Sequence, residues 1–174
     1  IGGFGFMTSA TIFFLAMRRR IGLRERLLIG ESMGMARPGG MVRIVRRAAM
    51  FTLIVEGIGA IVLFLRFLTL GTPAGTALWR AVFHAVSAFN NCGLDILGNF
   101  RSLLDYQGDP TVLLTMAVLI IFGGIGYLVV DDVVRNRRFS RLSADSKLVL
   151  VTTWSLLALG TIFILIAESN NPTT

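Results

Sequence analysis

The chain has 174 residues, of which 54% are hydrophobic and 16% charged, and its mean hydropathy is +0.73. Soluble domains carry about 25% charged residues, so this composition excludes a disordered chain, a disulfide-rich scaffold and an ordinary water-soluble enzyme. The net charge is +7, and most of the basic residues fall in two short blocks between apolar runs. This pattern is typical of a membrane protein rather than of a nucleic-acid-binding one.

The first element is an uncharged apolar run, residues 1–17, which is predicted to be the end of a membrane helix. The chain begins without an initiator methionine or a signal segment, so we expect a fragment or a processed form. Residues 18–47 carry nine arginines and are predicted to be a cytoplasmic connector. Control of topology is the simplest role for these arginines, and docking of a cytoplasmic partner is an additional one.

Residues 48–70 are predicted to be the first complete span, since a bilayer requires about 20 helical residues. Glu56 lies about 12 Å inside this span, and Arg66 lies near its outer end, where we expect it to snorkel to the headgroups. An intramembrane carboxylate is a candidate functional group because its desolvation is costly. The alternative is that Glu56, protonated or hydrogen-bonded, fastens helices together.

A shorter apolar segment, residues 77–89, contains Arg80 and His84. It is too short to cross a bilayer and is predicted to be a re-entrant pore helix. We expect His84 to pack or form a hydrogen bond rather than to bind a metal, because no other histidine exists and no Cys/His cluster has metal-site spacing.

The re-entrant helix leads into a predicted filter strand, residues 90–95. Carbonyl groups at a helix C-terminus lack partners and carry partial negative charge, which favours a nearby cation. Gly93 can adopt backbone angles closed to other residues, so successive carbonyls can turn to one axis and replace the water around an alkali cation. The alternative is that Gly93 only caps a buried helix, with Asn90 and Asn91 as turn residues.

Residues 111–130 are predicted to be a second complete span, and residues 135–147 a second basic connector with four arginines and one lysine. Asp131 and Asp132 close the span on its cytoplasmic side. They could attract cations that leave a pore, or join the neighbouring arginines in a solvated cluster. Residues 148–174 are predicted to be a third span and the start of an outer loop.

The sequence contains an internal repeat. GGFGF at residues 2–6 recurs as GGIGY at residues 123–127, and basic and apolar positions after it agree at the same offset. Residues 48–134 therefore hold one complete unit of span, re-entrant helix and span, between parts of two others. Since units of equal orientation can close around an axis, we predict an all-α integral membrane protein of parallel membrane–pore-loop–membrane repeats around a central pore, present here in part.

Several motifs resemble the ion-translocating subunit of the Ktr/Trk/HKT potassium transporters, in particular its bacterial KtrB (NtpJ-type) branch. They are GGFGFMT at residues 2–8, LRERLL at 23–28, VEGIGA at 55–60, FHAVSAFNN at 83–91 with Gly93, and KLVL at 147–150. The resemblance implies four repeats around one pore, each with a filter strand whose glycine favours K⁺. Gly93 matches that glycine in the second repeat.

The resemblance also implies which residues meet the ion through their backbone carbonyls. They are Asn90, Asn91, Cys92, Gly93 and Leu94, with Cys92 at a position where a small residue such as Ala is common. The implied activity is K⁺ uptake by a multi-pass protein of the bacterial cytoplasmic membrane, with Na⁺ dependence as a further expectation. The complete subunit would form a homodimer on a cytoplasmic ring of nucleotide-binding RCK subunits, without a bound cofactor, without a metal beyond the transported K⁺ or Na⁺, and without nucleic acid.

Two other classes of function stay open at this point. A membrane-embedded enzyme would use Glu56, Asp131 and Asp132 as acids, but adjacent aspartates point about 100° apart on a helix, and no nucleophile with a base accompanies them. A non-conducting structural or assembly subunit is the other class. Only one filter strand is present in the sequence, so the chain is not expected to conduct alone.

Overall fold

The computed structural model describes residues 41–98 and 101–169, and the regular secondary structure in these ranges is entirely helical. The α-helices are α1 (Met41–Thr69), α2 (Ala74–Phe89), α3 (Pro110–Ile125), α4 (Tyr127–Asn136) and α5 (Ala144–Glu168). Short 3₁₀ helices lie at Ser102–Tyr106 and Phe139–Arg141. The predicted segment 1–17 and residues 18–40 of the first connector lie outside the described residues.

Two helices are long and apolar enough to cross a membrane. Arg46–Thr69 has 24 residues and Ala144–Glu168 has 25, and each has a mean hydropathy of 2.3. The pair Pro110–Ile125 and Tyr127–Asn136 passes the same test as one broken segment. The described residues therefore form an all-helical membrane protein with two or three candidate spans.

The described part of α1 starts at Met41 and includes residues of the segment predicted to be a connector. Arginine is a good helix former, so the basic residues directly before the apolar run are part of the helix. α1 ends at Thr69 in a Schellman motif: Gly71 has φ +81°, its N–H donates to the Leu68 carbonyl, and the Thr72 N–H donates to the Phe67 carbonyl. This motif stops α1 at the predicted outer end of the span.

The described residues divide into two compact units, at Tyr127 and Leu128. In the first unit, α2 packs against α1 and α3 through a stripe of small side chains. The buried members of this stripe are Ala77, Ala81, Ala85 and Ala88. Small residues let helix backbones approach closely, so the helix predicted to be re-entrant packs tightly against the other two α-helices of this unit.

The span predicted for residues 111–130 is interrupted. α3 begins at Pro110 behind Asp109, whose side chain accepts from the N–H groups of Thr111 at 3.0 Å and Val112 at 3.3 Å. It ends at Ile125 because Gly126 has φ +80°. Such a backbone angle is open mainly to glycine, and the apolar character of the sequence continues across it.

In the second unit, α5 begins behind Ser143. The Ser143 hydroxyl accepts from the Ser146 N–H at 3.2 Å, which is a standard N-cap bond. Asp132 on α4 accepts from both the backbone N–H and the hydroxyl of Ser143, each at 3.0 Å. The carboxylate of Asp132 thus supports the cap of α5.

Candidate functional site

The C-terminal end of α2 is closed by Asn91, two residues before Gly93. Asn91 has φ +53°, its N–H donates to the Ala88 carbonyl, and the Cys92 N–H donates to the Ser87 carbonyl at 2.9 Å. These bonds are a Schellman motif with asparagine in the left-handed position. The alternative in which Gly93 caps the helix is wrong about the cap, which lies at Asn91, but Asn90 and Asn91 are turn residues as that alternative expected.

Beyond this cap the chain runs without regular structure through Gly93, which has φ +66°. Within the part of the chain that the structure describes, no hydrogen bond occupies the carbonyl oxygens of Asn91, Cys92 and Gly93. All three residues are exposed. Three successive unpaired carbonyls at membrane depth are tolerated only where they are covered by protein or line a water-filled path.

The two ends of the predicted filter strand are held differently from its middle. Asn90 is buried, and its amide nitrogen donates to Glu56 Oε1 at 3.1 Å and to the Val86 carbonyl at 2.8 Å. The Leu94 carbonyl accepts from the Ser87 hydroxyl at 2.7 Å. Of the five predicted residues, the structure therefore leaves the carbonyls of the middle three unpaired among the described residues and anchors the outer two by hydrogen bonds.

Glu56 of α1 contacts the start of the strand through this bond to Asn90. Because the amide of Asn90 donates, Glu56 acts here as a hydrogen-bond acceptor that joins α1 to the end of α2. This contact favours the alternative in which Glu56 fastens helices.

α3 approaches the end of α2 at a glycine of the repeated motif. A Cβ atom added to Gly123 would lie 1.8 Å from the carbonyl oxygen of Phe89, whereas one added to Gly124 would meet nothing within 4 Å. The amide nitrogen of Asn91 lies 3.5 Å from the Ile120 carbonyl on the same helix. Gly123 thus brings α3 into close contact with the backbone at the start of residues 90–95.

His84 packs inside this unit. Its Nδ1 donates to the Arg80 carbonyl at 2.7 Å, and its ring lies edge-on to Phe67 and Phe83. Nε2 has no partner among the described residues. His84 also lines a cavity of about 240 Å³ beside Gly93, so it belongs to the support of the loop, as a packing residue.

Arg66, which is expected to reach the headgroups, forms an ion pair at the outer end of α1. Its Nε donates to Asp109 Oδ2 at 2.7 Å, which joins the outer end of α1 to the N-cap of α3. Burial alone would raise the pKa of Asp109, but the hydrogen bond and charge of Arg66 and the two backbone N–H groups together lower the pKa. Asp109 therefore stays ionised, and its ion pair with Arg66 connects the outer end of α1 to the start of α3.

The two aspartates after α3 do not form an acid pair. Asp131 forms an ion pair with Arg135 at 2.8 Å, one helical turn away, while Asp132 supports the Ser143 cap. Both carboxylates thus bind neighbours within the second unit, which favours the charged-cluster alternative over attraction of departing cations.

Ser87 is the functional candidate that sequence reasoning missed. It was visible only within the motif at residues 83–91, and a serine in the last turn of a helix carries no distinctive spacing. The useful signal was the combination of a small hydroxyl residue, a helix end and a glycine six residues later, since such a hydroxyl can reach the backbone of the following loop.

Comparison with known proteins identifies the family of this chain. The family profile described as "TrkH: Cation transport protein" matches residues 1–170. The chain is 39% identical to "Ktr system potassium uptake protein B" of Bacillus subtilis and 36% identical to the protein of the same name in Vibrio alginolyticus, in both cases over 100% of this chain. It is 33% identical to "Potassium/sodium uptake protein NtpJ" of Enterococcus hirae over 99% of this chain. The chain spans 38% of the length of each of these relatives.

Proposed function

We propose, on the premise that this chain belongs to the TrkH family of cation transport proteins, that residues 90–94 are one strand of a selectivity filter for K⁺ uptake. The family consists of ion transporters in membranes and not of enzymes, which removes the membrane-embedded enzyme from consideration. The observation that carries the proposal is the row of unpaired carbonyls on Asn91, Cys92 and Gly93 behind a capped helix.

The chemistry follows from these carbonyls. Carbonyl oxygens can replace the hydration shell of an alkali cation when several converge on one axis. The C-terminal end of α2 adds partial negative charge at the same place. One strand supplies only part of such a shell, so the proposal includes further strands of this kind in the whole protein, arranged as membrane–pore-loop–membrane repeats.

The whole protein is proposed to take up K⁺ across the bacterial cytoplasmic membrane, passively and with Na⁺ dependence. The names of two relatives place potassium uptake within a "Ktr system", and the third names both potassium and sodium. We extend this to a homodimer on a cytoplasmic ring of nucleotide-binding RCK subunits. The basic segments 18–47 and 135–147 are the proposed contact surfaces because they are predicted to face the cytoplasm.

The test is K⁺ uptake by the whole protein in cells that lack their own uptake systems, with Gly93→Ser. Serine at φ +66° is strained and disturbs the carbonyls on both sides. We expect the K⁺ concentration for half-maximal uptake to rise about tenfold, equivalent to about 1.4 kcal/mol, and discrimination against Na⁺ to fall.

Gly71→Ser is the matched control, because Gly71 has φ +81° and an added Cβ meets nothing within 4 Å, as at Gly93. It introduces the same kind of strain outside the strand, so discrimination should be unchanged. Equal discrimination in the wild type and Gly93→Ser would contradict the proposed filter. Absence of uptake by the wild type would favour the structural-subunit alternative.

A further inference from the structure

Ser87 attaches the loop to the helix on both sides of Gly93. Its backbone carbonyl accepts from the Cys92 N–H at 2.9 Å. Its hydroxyl donates to the Leu94 carbonyl at 2.7 Å and accepts from the Leu94 N–H at 3.0 Å. Ser87 itself is only 6% exposed, so water does not compete readily for these bonds.

A hydroxyl group has one donor and two acceptor sites. The Ser87 hydroxyl uses its donor and one acceptor site on the same residue, Leu94, as a paired backbone would do in a strand. The Gly93–Leu94 and Leu94–Asp95 peptide groups are thereby tied to one point on α2. The backbone angle φ of +66° at Gly93 turns the chain so that both Cys92 and Leu94 can bond Ser87.

Other restraints on this stretch are local to it. Within the described residues, the Cys92 thiol bonds the Asn90 carbonyl and the Asp95 carboxylate bonds the Leu97 N–H, so both bonds stay inside the loop. An exposed loop without a hydrogen-bonded ladder is otherwise free to change its backbone angles. The direction in which the Gly93 carbonyl points therefore depends on the Ser87 hydroxyl, because this carbonyl shares its peptide group with the Leu94 N–H.

We propose that Ser87 is a positioning residue for ion discrimination: its hydroxyl fixes the Gly93–Leu94 peptide group, and thereby the Gly93 carbonyl offered to the cation. The proposal rests on the proposed filter function. Ser87 does not touch the ion in this role. It acts through the backbone of Leu94, and its loss should change affinity and selectivity for ions more than the maximal rate.

The experiment compares Ser87→Ala with the wild type in the whole protein, at equal amounts of folded protein in the membrane. The substitution removes one oxygen and leaves both polar groups of Leu94 unpaired. We expect the KM for K⁺ to rise about fivefold to tenfold, the competition by Na⁺ to increase, and the maximal rate to stay within about twofold. Ser87→Thr keeps the hydroxyl and should recover most of the discrimination.

Thr115→Val is the matched control, since the Thr115 hydroxyl donates to the Thr111 carbonyl within α3 and touches no part of the loop. It should behave as the wild type. If Ser87→Ala does not accumulate, Ser87→Cys, whose thiol is a weak donor, is measured with the same expectation. Unchanged KM and Na⁺ competition would overturn the proposal, as would an equal loss in the alanine and threonine variants.

The Gly93→Ser variant in the same assay separates this proposal from the filter itself. A response to Gly93→Ser with none to Ser87→Ala overturns the role of Ser87 alone. Indifference to both substitutions overturns the filter and the proposal that rests on it.

Discussion

The amide of Asn90 has both of its hydrogens engaged, one by Glu56 and one by the Val86 carbonyl. Asn90 follows the last residue of α2, so these bonds set where the helix stops and the loop starts. Glu56 takes part as an acceptor oxygen, and an acceptor oxygen does not require a negative charge. The hydrogen bond from Asn90 is therefore enough to explain why a glutamate lies inside this span.

This reasoning predicts different effects for two substitutions of Glu56. Glu56→Gln keeps an acceptor oxygen and should leave K⁺ uptake by the whole protein within about twofold of the wild type, whereas Glu56→Leu leaves an N–H of the buried Asn90 unpaired, at a cost of about 1–3 kcal/mol. Thermal unfolding of the purified protein and K⁺ uptake measure both. Loss of uptake in Glu56→Gln with normal stability would contradict the acceptor role and show that the charge itself is required.

Individual residues were predictable as far as their chemistry is local. Gly93 could be singled out because glycine is free to adopt a positive φ. His84 could be set apart from metal ligands because the sequence has no second histidine. The partners of Glu56 and Arg66 were not predictable, because they lie 34 and 43 residues away in sequence. Pairing at that distance depends on how the helices pack, and hydropathy carries no information about it.

At the level of elements, the approach of α3 to α2 is decided by one glycine. The carbonyl of Phe89 lies so close to Gly123 that there is no room for a side chain. The contact is made to backbone at the end of α2, which cannot move without moving Asn90 and Asn91. The position of α3 and that of the proposed filter strand are therefore coupled through Gly123.

We accordingly predict that Gly123→Ala and Gly124→Ala differ sharply. The first forces α3 away from Phe89, which should destabilise the protein by about 1–3 kcal/mol, as overpacking does, and reduce K⁺ uptake at least tenfold. The second should be neutral, because a Cβ at Gly124 meets nothing within 4 Å. Both variants gain the same helix propensity, so a comparison of their melting temperatures and uptake isolates the steric contact. Similar behaviour of the two would contradict the close approach.

Most helices could be predicted from the sequence, since length and apolar character are local properties that mark α1, α2, α3 and α5. The ends were less accurate, because helix propensity carries α1 into a basic segment and α5 starts at a serine cap that hydropathy does not register. The break at Gly126 was missed for a related reason. A glycine within an apolar run is compatible with a continuous helix, and its φ of +80° is set by the structure around it.

For the whole molecule, the break at Gly126 allows two courses of the chain relative to the membrane. α3 and α4 together are long and apolar enough for one span, but an interrupted pair can also turn back to the side from which it came. The distribution of basic residues favours the first path. Residues 135–147 contain four arginines and one lysine, and such clusters remain in the cytoplasm, whereas the loop before α3 is predicted to face outward.

Labelling of single cysteines distinguishes the two paths. In whole protein freed of its other cysteines, including Cys92→Ala, the exposed positions Gln107 and Ser140 are replaced in turn by cysteine. A membrane-impermeant maleimide should modify Gln107→Cys in intact cells and Ser140→Cys only after permeabilisation, because one crossing separates them. Modification of both from outside would show that the chain turns back at Gly126, and the basic segment 135–147 could then not contact a cytoplasmic partner.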